Sequence, residues 1–255
     1  MFDNGVTQLY PGLNNLRDTQ MWSDIPIPDW NVVHDRTEDF DAYESGDWTV
    51  TKVGTGTVAL TAGDGGILQL VTTAGASDSD AVQDTPAAWQ LASGFRAWGL
   101  FRFSVESVLP KFLLGLYNVT TTPWTGGQIT DGIWLSTSGT SAISVNIAVG
   151  GVTTTQSTGL PTISSTGLSN QIVFSWYYDG GIYTVAGGRV VYELTGAALS
   201  GNYRGEFSAV ANFPGSTLLT PSFGLQNTTA VARTLNVDTV RLTKDRVNPL
   251  ATPVF

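Results

Sequence analysis

The stretch from Phe174 to Gly196, FSWYYDGGIYTVAGGRVVYELTG, alternates apolar and polar side chains between glycine-containing turns. Strict alternation is the pattern of a half-buried β-strand, because successive side chains of a strand point to opposite faces of its sheet. Asp179-Gly180-Gly181 and Gly187-Gly188 interrupt the alternation, and glycine accepts the positive φ that tight turns need. The stretch therefore predicts three antiparallel strands of one sheet.

From Phe40 onward the chain continues as short segments of alternating apolar and polar residues separated by clusters of turn-forming residues. This pattern is expected of a β-sandwich or β-barrel. Several runs have one wholly apolar face: Ile143, Val145, Ile147 and Val149; Ile172, Phe174, Trp176 and Tyr178; and Phe101, Phe103 and Val105. No long window has a helical apolar stripe, and only 77–92 admits a helical turn, which Pro86 would interrupt. The sequence predicts an all-β chain.

The composition argues against several classes of function. Charged residues make up only 13% of the 255-residue chain, and its formal net charge is -9. An acidic chain lacks the clustered Lys and Arg that neutralise phosphates, so we expect no nucleic-acid partner. No apolar run approaches the roughly 18 residues that span a bilayer, and no signal peptide is visible, so we expect no membrane partner. Cysteine is absent, which excludes disulfides and cysteine nucleophiles.

Residues 1–37 differ from the rest of the chain, because prolines interrupt them and no period of 2 or 3.6 is sustained. They predict an extended N-terminal arm, followed by a sandwich at 38–247 and a short C-terminal tail at 248–255. The arm contains eight apolar residues that we predict to be assembly contacts: Leu9, Tyr10, Leu13, Met21, Trp22, Ile25, Ile27 and Trp30. So much apolar surface does not stay in water, so the arm packs either on its own sheets or on a neighbouring polypeptide.

The strand motifs follow one another in an order that resembles that of a known family. A W-x-x-x-R-F-x-V run at Trp98 is followed by Gly115-Leu116-Tyr117, then by DGIW at Asp131, YYDG at Tyr177 and V-D-x-V at Val237. From about residue 38 to 245 the chain resembles the concanavalin A-like jelly roll of legume lectins, laminin-G modules and β-glucanases. More narrowly, it resembles virion proteins of tailed bacteriophages.

That resemblance implies a sandwich of two antiparallel sheets with a dozen or so strands, in which the first and last strands are neighbours. It also implies a capsid decoration (cement) protein on the outer surface of the virion, assembled in the host cytoplasm. The expected partners are the major capsid protein and further copies of the chain itself, with a trimer as the expected oligomer. A lectin-like glycan-binding module on the virion or tail is the alternative.

The acidic residues do not form the pattern of a glycoside hydrolase, which needs two carboxylates facing one bond at roughly 5 to 9.5 Å. In the acid-rich run TEDFDAYES, read as a strand, Asp39 and Asp41 share a face, but Tyr43 follows them on it. His34 is the only histidine, and no Gly-x-Ser-x-Gly elbow occurs. We therefore predict that the protein is not an enzyme and has no catalytic residues.

Calcium needs six to eight oxygen ligands, and Asp64, Asp131, Asp179 and Asp238 have the right chemistry for it. Three of these precede glycine, where aspartate is favoured because it caps a turn. We predict turn roles, with no metal and no other cofactor. The run GTGTVAL at Gly54 lacks the glycine and lysine of a phosphate-binding loop and predicts a hairpin.

Trp124 lies in a loop flanked by proline and glycine, TTPWTGG. An exposed tryptophan there stacks on the face of a sugar ring, whereas a buried one anchors the loop on the sandwich or on a neighbouring subunit. We predict Trp124 to be a glycan or subunit contact.

Overall fold

The computed structural model describes residues 33–62, 65–105, 110–137, 143–157, 171–181, 188–197, 199, 201–208 and 217–246. Fifteen strands, numbered along the chain, form two antiparallel sheets within these residues. Sheet A contains β1 (Val33–Glu38), β3 (Thr57–Thr61), β4 (Ile67–Val71), β6 (Arg96–Val105), β11 (Ile172–Asp179), β12 (Arg189–Gly196), β13 (Tyr203–Phe207) and β15 (Thr234–Asp245). Sheet B contains β2 (Trp48–Val53), β5 (Ser79–Asp84), β7 (Lys111–Asn118), β8 (Gly132–Thr137), β9 (Ile143–Val149), β10 (Val152–Ser157) and β14 (Leu219–Gln226).

The order in which the strands pair defines the topology of the two sheets. Sheet A runs β13-β12-β11-β6-β15-β4-β3, and β1 also pairs with β15, so the first and last strands of the described residues are neighbours. Sheet B runs β10-β9-β8-β7-β14-β5-β2. All of the pairings are antiparallel, which confirms the prediction of an all-β sandwich of two antiparallel sheets. No helix in the described part of the chain is long and apolar enough to cross a bilayer.

The hydrophobic core lies between the two sheets, and the alternating runs supply it. The apolar faces predicted for β6, β9 and β11 all point into this core, with Val149 at its margin. Phe101 of β6 and Phe174 of β11, for example, lie in register on neighbouring strands, with ring centroids 6.4 Å apart. The opposite faces of these strands point outward, and they determine what each sheet presents to a ligand or to another polypeptide.

The boundary predicted for the arm is wrong by five residues. β1 begins at Val33, so residues 33–37 belong to sheet A. The reason is tertiary: the His34 ring stacks on Trp89 at 4.4 Å, and Asp35 accepts a hydrogen bond from the Thr243 hydroxyl. The eight apolar arm residues from Leu9 to Trp30, and the tail at 248–255, lie outside the described residues.

Three local predictions along the chain also change. Gly54-Thr55-Gly56 is not a hairpin turn, because β2 pairs with β5 in sheet B whereas β3 pairs with β4 in sheet A. The segment 77–92, the one window that admitted a helical turn, contains strand β5. β11 and β12 pair directly with each other, and the strand predicted between them falls on 182–187, outside the described residues.

Candidate binding site on the outer face of sheet B

A loop at 119–131 covers part of the outer face of sheet B. Because Phe112, Leu114 and Leu116 point into the core, the alternate residues of β7 point outward. A second, smaller apolar cluster forms there beneath the loop: Leu113, Tyr117, Ile129, Trp134 and Ala148, with Trp124 packed against it. The cluster gives the loop an anchor, and Trp124 is part of that anchor.

The loop is fixed at its base by the side chain of Asn118. The Asn118 Oδ1 atom accepts hydrogen bonds from the backbone N–H groups of Thr130 and Asp131, at 2.8 and 3.1 Å. Its Nδ2 atom donates to the carbonyl oxygen of Gln128 at 3.1 Å. These bonds join the two ends of the loop through one side chain, so the loop has a defined shape over the sheet.

Two further side chains tie the loop to neighbouring strands. The Gln83 Oε1 atom of β5 accepts a hydrogen bond from the Thr120 N–H at 3.0 Å. The Asp131 Oδ1 atom accepts one from the Gly150 N–H at 2.8 Å, next to the turn between β9 and β10. Asp131 thus caps the turn between β9 and β10, not the predicted turn at its own glycine, because Gly132 begins β8.

A cavity of about 320 Å³ lies between this loop and sheet B. Its apolar walls include the indole rings of Trp124 and Trp134. Its polar lining comes from three strands and from the loop: Lys111, Ser136, Thr137, Thr153 and Thr125. Aromatic faces together with a few hydroxyl and ammonium groups are the lining of a small-molecule site, and they match the apolar faces and hydroxyl groups of a sugar.

Trp124 is half-buried, and it packs on the second cluster and also lines the cavity. Its role as a glycan or subunit contact stays a prediction. Trp134 was missed as a site residue. The alternation in GIWLST could have identified it, because Ile133 and Leu135 point into the core and leave Trp134 on the outer face. Gly115 on the neighbouring strand makes room for it: a Cβ there would come 2.7 Å from the Trp134 Cβ.

The acids of the TEDFDAYES run do not form a cleft. β1 ends at Glu38, and Phe40 adopts a φ of 56°, which breaks the predicted strand. Asp39 and Asp41 lie in the loop that follows, and both are exposed. The prediction of a strand from Asp39 to Tyr43 was therefore wrong, although Asp39 and Asp41 are solvated as expected.

Two of the buried acids, Asp80 and Asp84, lie on β5. Asp80, Val82 and Asp84 share one face, and Val82 is part of the core between the sheets. Asp80 and Asp84 are four residues apart on one strand, so their backbones are about 13 Å apart, too far to act on one glycosidic bond. Burial raises the pKa of each carboxyl to about 6.

The surroundings of these two acids differ. The Arg36 guanidinium lies 3.1 Å from Asp84 and lowers its pKa against the larger effect of burial. Neither carboxylate oxygen of Asp80 has a hydrogen-bond partner among the described residues. Lys52 lowers the pKa of Asp80, and Asp78 raises it.

The remaining calcium candidates have protein partners. Asp179 accepts a hydrogen bond from the Gly181 N–H at 3.1 Å and lies 3.7 Å from Arg189. Asp238 lies 3.3 Å from Arg102. Asp64 is outside the described residues, and within those residues no three His, Cys, Asp or Glu side chains form a group that could hold a metal ion.

Comparison with solved structures gives the fold a name. The chain is similar to a protein of unknown function from Shewanella oneidensis MR-1, at 14% identity and a TM-score of 0.57, over 87% of this chain and 90% of that one. It is also similar to peanut lectin (8% identity, TM-score 0.57, 83% and 97%) and to lectin II from Ulex europaeus (10% identity, TM-score 0.58, 83% and 98%). The fold is the concanavalin A-like lectin sandwich.

No known protein family matches the sequence, and no curated protein is significantly similar to it. At such low identities the structural likeness establishes the sandwich and no more.

Proposed function

We propose that the protein is a structural virion component of a tailed bacteriophage, a decoration protein on the outer surface of the head that binds the major capsid protein. The order of the strand motifs from Trp98 to Val240 supports the phage assignment. The structural observation that carries the proposal is strand β10, at one edge of sheet B. Its residues, Val-Thr-Thr-Thr-Gln-Ser, include no charged side chain and no proline.

An unprotected edge strand is unusual in a protein that stays alone in solution, because its free N–H and C=O groups pair with other chains. β10 is exposed from 152 to 155, and the Val152 side chain is 72% exposed. In the proposed assembly this edge lies against a neighbouring polypeptide of the capsid surface, either a capsid subunit or a sister copy in a trimer. Repetition over the lattice turns weak contacts into firm attachment.

Binding of the purified protein to phage heads tests the proposal directly. Heads of the phage that encodes the chain, assembled without it, are mixed with purified protein and sedimented, and bound copies are counted by quantitative mass spectrometry. Wild-type protein saturates at a fixed copy number, whereas Val152→Lys with Thr154→Lys lowers the bound number because charge blocks strand pairing. Val231→Lys, at an exposed loop position, is the matched control. Wild-type protein that stays in the supernatant overturns the proposal.

A second candidate function is glycan binding at the cavity beneath the 119–131 loop. The observation that favours it is the pair of indole rings, Trp124 and Trp134, beside the hydroxyl groups of β8 and β10. A glycan array identifies the sugar, and titration calorimetry then measures its affinity. Trp124→Ala weakens binding by about tenfold or more if the ring stacks on the sugar.

Val119→Ala is the control for this second function, since Val119 is exposed in the same loop but does not line the cavity. Equal affinities of Trp124→Ala and wild type would place any glycan elsewhere on the protein. An array without a hit would remove this second function and leave the decoration proposal unaffected.

A further inference from the structure

Asp80 is a buried carboxylate without a partner in the described part of the chain. It is 0% exposed, and neither of its carboxylate oxygens accepts a hydrogen bond there. A buried charge is costly unless it is paired, hydrogen-bonded or bound to a metal ion. Asp84, on the same face of β5, shows the usual solution, because the Arg36 guanidinium lies 3.1 Å from it. Asp80 is as deeply buried and has no such neighbour.

Two glycines in the connection between β2 and β3 make room for Asp80 and for a second acid, Asp78. A Cβ at Gly56 would lie 2.1 Å from the Asp80 Oδ2 atom, and a Cβ at Gly54 would lie 2.6 Å from the Asp78 Cγ atom. Only glycine lets the backbone approach the two carboxylates so closely, and a side chain at either position would displace an acid. We call Gly54, Gly56, Asp78 and Asp80 the acidic cradle.

The acidic cradle also brings together oxygens from the two sheets. The Cβ position of Gly56 is 2.1 Å from Asp80 Oδ2 and 2.7 Å from the Val71 carbonyl oxygen, so these two oxygens are at most about 5 Å apart. Oxygens that bind one calcium ion lie about 2.3–2.6 Å from it, which allows the same separation. Asp80 belongs to β5 of sheet B and Val71 to β4 of sheet A. An ion held by both residues would join the two sheets.

Asp78 is held in place with one of its oxygens left over. Its Oδ2 atom accepts hydrogen bonds from the Gly75 N–H, at 3.1 Å, and from the Thr73 hydroxyl. Its Oδ1 atom has no hydrogen bond among the described residues. Asp78 is half-buried, whereas Gly54 and Thr55 beside it are exposed. The acidic cradle therefore opens to solvent along the connection between β2 and β3, where an ion can enter.

One ammonium group lies near the acidic cradle, but it is bonded elsewhere. Lys52 is paired in register with Asp80 across β2 and β5. Its Nζ atom donates to the Gly56 carbonyl oxygen at 2.8 Å and makes no hydrogen bond to the Asp80 carboxylate. With Lys52 counted against the two carboxylates, one negative charge remains at the acidic cradle. A divalent cation supplies the charge that this place lacks.

We propose that the acidic cradle binds a divalent cation, Ca²⁺, through the carboxylates of Asp80 and Asp78 and the carbonyl oxygen of Val71. Carboxylate and carbonyl oxygens are the ligands of calcium, and water fills the remainder of its six to eight positions. No three His, Cys, Asp or Glu side chains in the described ranges form a group that could hold a metal. Two carboxylates therefore supply the charge, and the affinity is modest. The sequence predicted no metal from four other aspartates, and the strand pattern of SDAVQD hides this pair.

Calcium titration of the full chain tests the inference. Protein stripped of metal with a chelator is titrated with CaCl₂ at pH 7.5 in a calorimeter, and thermal unfolding is followed in EDTA and in excess CaCl₂. Wild type is expected to bind one ion with a dissociation constant of about 0.1–1 mM and to unfold several degrees higher in calcium. MgCl₂ at the same concentration should give a smaller shift, because Mg²⁺ demands a tighter octahedral shell.

Asp80→Asn keeps the size of the side chain but removes its charge, so it should weaken calcium binding by about tenfold or more and abolish the thermal shift. Gly56→Ala, which fills the acidic cradle, should do the same. Asp39→Asn, which changes an exposed acid elsewhere, is the matched control and keeps both responses. Circular dichroism in EDTA confirms that each variant is folded.

Two results would overturn the inference: wild-type protein in which calcium produces neither heat nor a thermal shift, and an Asp80→Asn variant with unchanged calcium affinity. The inference does not depend on the proposed function, because it concerns the joint between the two sheets. Neither heads nor glycans are present in the titration, so its failure is distinct from a failure to bind either of them.

Discussion

The Arg36 guanidinium of sheet A lies 3.1 Å from the Asp84 carboxylate of sheet B, inside the sandwich. The same guanidinium lies over the Trp48 ring, 5.5 Å from its centroid. Asp84 is almost fully buried, and Arg36 is its ion-pair partner across the two layers. The pair therefore links β1, the first described strand, to the opposite sheet.

Arg36→Met is expected to lower the free energy of unfolding by about 3 kcal/mol, because it leaves a buried carboxylate without its partner. Urea unfolding followed by circular dichroism measures the change. Asp84→Asn in the Arg36→Met background should recover part of the loss. Arg204→Met, at an exposed position, is the control, and a loss no greater than that of the control would show that the pair contributes nothing to stability.

Asp80→Asn should change how stability depends on pH. Burial raises the pKa of Asp80 to about 6 in the folded state, against 3.8 for the ordinary group. Between these values the folded protein holds the proton more tightly than the unfolded chain, so stability falls as the pH rises from about 4 to about 6.

The Asp80→Asn variant has no buried carboxyl group to deprotonate as the pH rises. It is therefore expected to be more stable than wild type at pH 7.5, by on the order of 2 kcal/mol. Thermal unfolding from pH 4 to 8 measures the effect. Asp84 titrates in the same range, so part of the slope remains in the variant. Asp39→Asn, which changes an exposed acid, should leave the curve unaltered. An Asp80→Asn variant with the wild-type slope would refute the assignment to Asp80.

Gly99→Ala should destabilise the core by about 1–3 kcal/mol through overpacking. A Cβ at Gly99 would lie 2.2 Å from the Trp176 ring, which is fully buried on the adjacent strand. Gly126→Ala is the control, because that glycine has open space around it and an ordinary φ. Similar unfolding midpoints for the two variants would show that the core adjusts to the extra methyl group.

Asn118→Ala should loosen the 119–131 loop without unfolding the sandwich. The variant loses the acceptor of the Thr130 and Asp131 N–H groups and the donor to Gln128. Hydrogen exchange at residues 128–131 is expected to speed up by about tenfold, with the strands of sheet A unchanged. Gln128→Ala is the control, since the carbonyl that Asn118 contacts remains. Unchanged exchange in Asn118→Ala would mean that the apolar cluster alone holds the loop.

Much of the fold was predictable because strand alternation is a local property. The apolar faces of β6, β9 and β11 could be assigned from the sequence, since period 2 fixes which side chains share a face. The 119–131 loop and its tryptophan could be located as well. Trp134 could have been found in the same way, because it is the one large apolar side chain on the outward face of GIWLST.

Other features of the fold depend on contacts between residues that are far apart in the sequence. The Gly54-Thr55-Gly56 connection has the composition of a hairpin turn, but β2 and β3 find their partners in different sheets. SDAVQD contains two acids and a polar amide, so its pattern gave no sign that Asp80 and Asp84 lie in the core. Residues 33–37 follow a proline-rich segment and become a strand only because β15 is there to pair with them.

The sequence by itself determined that this is an all-β chain with alternating strands, no cysteine chemistry and little charge, because those properties depend on composition and on neighbours two residues apart. Only the tertiary structure decided which strands pair, which acids are buried between the sheets and which outward side chains are covered. The physical reason is that burial depends on what packs across the sandwich and pairing on which strand lies alongside. Residues more than 100 positions apart, such as Gln69 and Asn236 on neighbouring strands of sheet A, make such contacts.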